Sequence, residues 1–227
     1  DERGLKQMSL TKELKLEVEN HPILRTKWLV DRRKSLSKED LCLWLSQEYF
    51  VSVDFVNWFL WTASLTNNVD AKILLVHNIW EELGEGDASR SHVMVLTRFL
   101  REIGIAESEL KILHHTQKYL NDMKMLTNSN IYSALGALGP ANEYLLKLEY
   151  GQMYESYLRL KAEEKLPNAF FFEVNLEADE SHSAELFKLI EAICDSPQKI
   201  EQVKEGNRKA LDARLQFYEG LELVGKL

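Results

Sequence analysis

Proline and glycine are scarce in this chain, 4 and 10 of 227 residues. So few helix breakers, with 45% hydrophobic residues recurring at helical period, argue for an almost all-α protein. Cysteine is scarcer still: Cys42 and Cys194 are too few and too far apart for a disulfide framework or a cysteine-based zinc site. Cys42, inside LCLWL, reads as a small buried hydrophobe. No run approaches the ~18–20 apolar residues that span a bilayer, and DERGLKQMSL lacks the apolar core of a signal peptide. A soluble, cytoplasmic protein is expected. A dense Lys/Arg stripe is also missing; Arg32, Arg33 and Lys34 are too short a run, and with a formal charge of −8 neither nucleic acid nor an anionic membrane is the expected partner. Without a Pro/Gly/Ser-rich linker, an internal repeat or a low-complexity tract, residues 1–227 are expected to form one helical domain.

What is there divides into helical segments. Thr11–Glu19 predicts a first helix that Asn20-His21-Pro22 breaks, and Ile23–Val30 a short second one. Ser37 with Asp40 resembles a capping box opening a long helix over Lys38–Leu65. That segment carries Trp44, Tyr49, Phe50, Phe55, Trp58, Phe59 and Trp61, aromatics that serve either a core or the wall of a ligand pocket. Asn67 or Asn68 caps Val69–Leu83, which stops at Gly84. After the loop Gly84–Ser89, with Ser89 as N-cap, a helix starts near Arg90 with His92 in its first turn. Glu107–Leu126 follows. The next helix, from Ser129, holds Gly136, Gly139 and Pro140 in its middle, and Pro140 predicts a kink or unwound turn just before Glu143. A run to Lys165, the stretch after Pro167 and a final helix from Pro197 to about Val224 complete an all-α bundle of about seven to nine helices.

The stretch Ala169–His182, AFFFEVNLEADESH, is the most informative. At about 100° per residue, Asn175, Asp179 and His182 fall on one face, and Phe170, Phe171, Phe172, Val174, Leu176, Ala178, Leu186 and Ile190 can bury the helix around them. A carboxylate and an imidazole three residues apart on a buried helix is how bundles build metal sites, with matching ligands from other helices. Solvated polar residues would give the same pattern. Elsewhere, Glu81 sits in VHNIWEELG beside Glu82; adjacent residues diverge by about 100°, so one of the two is expected to face solvent. His77, four residues before Glu81, pairs with it or is a hydrogen-bonded histidine. Glu143 follows the predicted kink, and His92 taken alone reads as a surface residue.

Together, VHNIWEELGEGDASRSHVMVLTRFL, GALGPANEYL and FFFEVNLEADESH resemble the three metal-bearing helices of the haem-oxygenase-like diiron oxidase superfamily. That group takes in undecene-forming fatty-acid decarboxylases and the chlamydial protein associating with death domains, and it shares its fold with TenA and pyrroloquinoline quinone synthase. The resemblance runs in helix order from the His-Pro turn at 21–22 to the last helix. It implies an iron- or manganese-dependent oxidase, with one ion or two, acting with dioxygen on a small organic substrate, apolar or not, in a homodimer. The ligands it implies are Glu81, His92, Glu143, Asp179 and His182. Where the family has a further histidine this chain has Asn175, whose amide is a weak donor beside an imidazole. A non-catalytic ligand-binding or protein-interaction module with a degenerate metal site is the alternative the same resemblance allows. The fold alone leaves haem binding at His21 open, whereas Cys194 stands about three turns beyond His182, too far to act as a pocket nucleophile.

Overall fold

In the computed structural model, which describes residues 8–224 apart from the side chain of Asp179, helices and short connections account for the whole architecture. The α-helices are α1 (Leu10–Asn20), α2 (Lys27–Lys34), α3 (Lys38–Ser64), α4 (Val69–Glu82), α5 (His92–Glu102), α6 (His114–Thr127), α7 (Ile131–Leu138), α8 (Leu145–Glu163), α9 (Phe170–Ile193) and α10 (Pro197–Val224). A π-helical turn, Gly139–Tyr144, joins α7 to α8 in one bent helix. Counted that way, the described residues form nine helices, the top of the expected range.

Side-chain caps set several of the starts. Ser9, Ser37, Asn68, Ser91 and Asn130 each accept a hydrogen bond from the backbone N–H three residues on, satisfying donors a helix cannot satisfy itself. Several expected starts move. The single helix over Ile23–Val30 is instead a 3₁₀ turn, Pro22–Arg25, and then α2, because Thr26 interrupts them and caps Leu29 N–H. The helix after the GEGDAS loop begins at His92 and its N-cap is Ser91, since the Ser89 hydroxyl is held by Asp87 at 2.7 Å. Likewise Glu107–Leu126 resolves into a 3₁₀ turn, Glu107–Glu109, and α6.

The buried apolar residues of all ten α-helices form one cluster. α10 packs along α7 and α6, α3 along α4, α5 and α6, and α9 along the π turn and α8. At the α7–α10 crossing the backbones touch: a Cβ at Gly136 would stand 2.0 Å from the Val203 carbonyl oxygen, and one at Gly206 2.0 Å from that of Ser133. The aromatics of α3 go mostly to this core; Trp44 stacks edge-on to Tyr150 at 5.3 Å, and Trp58 to Tyr119 at 5.8 Å.

Inside that core lies a charged network the sequence did not announce. Arg214 is fully buried and donates to Glu149 at 2.8 Å and to Glu48. Trp44 and Tyr150 also donate to Glu48, and Tyr218 to Glu149. One guanidinium faces two carboxylates, and burial pushes the pKa of Glu48 up despite Arg214.

Candidate metal centre

α4 delivers two adjacent carboxylates to one place. Measured from Asn78, which is fully buried and marks the inward direction, Glu81 lies about 60° to one side and Glu82 about 40° to the other. The pair straddles the inner face, so neither is lost to solvent. This corrects the expectation that one of them would be solvated: long side chains on either flank of an inward axis can both reach it. α4 ends here because Gly84 takes a positive φ of 80°, and a Cβ there would meet the Asp87 carbonyl oxygen at 2.2 Å. The reversal brings Ser91 and His92 back beside the helix they follow.

His92 Nδ1 stands 2.9 Å from Glu82 Oε2. From α9, His182 Nε2 reaches Glu81 Oε2 at 2.6 Å, while its Nδ1 lies 3.5 Å from Glu143 Oε1 and 3.9 Å from Glu82 Oε1. Glu143 arrives from the π turn, closed by Leu145 N–H to the Pro140 carbonyl. The sequence places an irregularity at Pro140; its form is this wide turn, which carries Glu143 to full burial. His77 remains on the outer side, 3.5 Å from Glu81 and more than half exposed.

Of the residues at the six implied ligand positions, the structure therefore gathers Glu81, His92, Glu143 and His182, and it adds Glu82. The side chain of Asp179 lies outside the described residues. Asn175 spends its amide N–H on the Phe171 carbonyl at 2.7 Å, one turn back on its own helix. His21 is no haem ligand as it stands: Nδ1 accepts from Ile23 N–H at 3.1 Å and Nε2 faces Asp212 at 2.8 Å.

Electrostatics set the state of the cluster. Burial disfavours charge on His182, but Glu143, Glu82 and Glu81 outweigh it and push its pKa up to about 10. His92 is shifted the same way, burial being overcome chiefly by Glu82. With both imidazoles protonated, three carboxylates and two cations leave a net charge of −1; with both neutral it is −3. Buried carboxylates at this density call for a cation. Among the described residues no three His, Cys, Asp or Glu side chains close on a common point, because each imidazole is turned onto a carboxylate as its counter-charge. The donor types, oxygen and imidazole nitrogen from four elements, nonetheless fit iron or manganese.

Glu81, His92 and His182 of this cluster line a cavity of about 440 Å³, and Glu82 and Glu143 reach them from outside its lining. Val95, Phe170, Val174 and Ala178 give the cavity an apolar wall, and Glu85, Arg90, Arg98 and Glu177 add charged side chains of both signs. Sequence reasoning missed this wall. Val95 and Arg98 belong to α5, where the sequence pointed to His92 alone, and the α3 aromatics, read as either core or pocket wall, are mostly core.

Known proteins share this fold. A family described as iron-containing redox enzymes, of haem-oxygenase type, matches residues 42–215. A CADD-like protein of unknown function from Nostoc punctiforme superposes with a TM-score of 0.79 at 22% identity, over 93% of this chain and 95% of that one. A domain of unknown function with a haem-oxygenase-like fold from Shewanella denitrificans gives 0.78 at 14%, over 97% and 95%. A TenA homologue from Pyrococcus furiosus gives 0.69 at 18%, over 93% and 99%. No curated protein matches significantly. Helix order, the carboxylate–imidazole cluster and the match over most of the chain lead to one conclusion: this protein belongs to the haem-oxygenase-like family of iron-containing redox enzymes.

Proposed function

We propose that the chain is an iron- or manganese-dependent oxidase that acts with dioxygen on a small organic substrate held in the cavity between α4, α5 and α9. The observation that carries this reading is the meeting of Glu81, Glu82 and Glu143 with His92 and His182, of which Glu81, His92 and His182 open onto the cavity. These five residues, with Asp179 three positions before His182 on α9, would hold the metal. When bound, the metal would supply the electrons that let dioxygen react with an organic molecule.

The remaining work belongs to the chain. Glu143 and His182, buried almost completely, keep water from the inner donors, and the carboxylates neutralise the cation. His92 and His182 must each give up a proton to donate a lone pair, so metal binding expels protons that the carboxylates now hold in place. The wall of Val95, Phe170, Val174 and Ala178 would take the apolar body of a substrate, beside the charged side chains of Glu85, Arg90, Arg98 and Glu177.

A second reading, a non-catalytic member with a degenerate metal site, draws support from Asn175, whose amide is turned to the backbone rather than toward the cluster. Anaerobic Fe(II) titration followed by admission of oxygen separates the two. An oxidase takes up metal with proton release and develops an oxygen-dependent absorbance, both lost in Glu82→Gln and His182→Ala; a protein that takes up no metal leaves only the binding module.

A further inference from the structure

α4 is apolar on both faces. Its inner face packs Ala71, Leu75 and Ile79 into the core, yet Val69, Ile73, Val76, Trp80 and Leu83 on the opposite side are 46–66% exposed. Their spacing of four, three, four and three residues keeps them within about 80° of one another, in a single stripe about four turns long. Other large exposed hydrophobics, such as Met125, Leu158 and Phe170, come from separate helices. α3 extends the stripe. The connection over residues 65–68 folds α3 and α4 antiparallel, so Leu60 lies level with Ile73 and Val53 with Trp80, and both are about half exposed.

We infer that this α3–α4 face is the surface through which two copies of the chain associate. The stripe and its α3 neighbours expose on the order of 600 Å² of apolar surface. That is at the top of what a monomer's largest patch shows and most of the roughly 800 Å² each partner contributes to a standard interface. The patch is also suited to itself. Ile73, Val76 and Trp80, with Lys72 and His77, line a shallow apolar hollow of about 460 Å³, alongside the ridge that Val69 and Leu83 continue. A two-fold contact requires ridge and hollow on one surface, and two α4 helices laid antiparallel set each stripe residue against another. Lys72 and His77 lie beside the stripe and no acidic residue falls within it, so the acidic remainder of the molecule is kept off the contact. Pairing would also brace, from outside, the helix whose inner face carries Glu81 and Glu82.

Sedimentation at tens of micromolar concentration tests this without reference to metal. The wild-type chain is expected at twice its mass of 26.4 kDa. Ile73→Glu and Val76→Glu are each expected at the single-chain mass with unchanged helical circular dichroism, since neither side chain enters the core. Leu158→Glu, on α8, should remain a dimer. If either glutamate variant misfolds, Trp80→Gln, which removes apolar contact without adding charge, should raise the dissociation constant at least tenfold. A wild-type monomer, or a dimer indifferent to all three α4 substitutions, overturns the inference.

Discussion

His182 shows how much a single side chain's state depends on company. Its folded pKa of about 10 lies above the ordinary 6.5, so in the metal-free protein it binds a proton more tightly folded than unfolded. The stability this provides is complete below about pH 6.5 and is lost as pH rises through about 10. Urea midpoints of metal-free protein should therefore fall across that window, by free energies on the order of a few kcal/mol, and His182→Gln should flatten the profile. Metal affinity should move the other way and strengthen with pH, because the ion competes with those protons. Asn175 is the second residue of consequence. It shares a face of α9 with Ala178, one turn on, and His182, so Asn175→His puts an imidazole where a ligand is missing. Metal affinity should rise by at least the roughly 10–100-fold that even indirect partners of a metal are worth. Unchanged stoichiometry and affinity, measured by elemental analysis and competition with a chelator, would mean that position 175 is no ligand position. The candidate ligands were legible from motif and resemblance. The role of Glu82 was not, because a helical wheel fixes directions only once the inward axis is known, and that axis was given by the burial of Asn78.

At the level of elements, the long helices were readable from their periodicity and caps, and the departures occur where local hydrogen bonds compete. Thr26 splits one predicted helix and Asp87 removes Ser89 from capping another. The break at Pro140 was written in the sequence, but a proline announces only a lost donor; the wide turn that followed depended on how α9 packs across it. The α7–α10 crossing is the sharpest requirement at this scale. Gly136→Ala or Gly206→Ala would push a methyl into a backbone carbonyl that cannot rotate away, and each should destabilise by about 3 kcal/mol or more, the upper end for overpacking. Thermal unfolding of the two variants, compared with Gly151→Ala, where a Cβ meets nothing within 4 Å, checks this directly.

The whole molecule is held across its centre by the Arg214 network, which ties α10 to α3 and α8. Arg214→Met should cost about 3–5 kcal/mol in urea denaturation, because it strands buried carboxylates. Replacing Glu48, Glu149 and Arg214 together by apolar residues of similar size should recover much of the loss. Composition and periodicity by themselves determined that the chain is helical, and its motifs pointed to a haem-oxygenase-like bundle with a carboxylate–imidazole site; both are local properties, set by neighbours within a turn or two. Tertiary structure alone decided that Glu81 and Glu82 both face inward, that Asn175 turns away, that Arg214 is core, and that one face of α4 is left uncovered. Each of these depends on which helix lies opposite, a contact between residues tens to well over a hundred positions apart that no local pattern encodes.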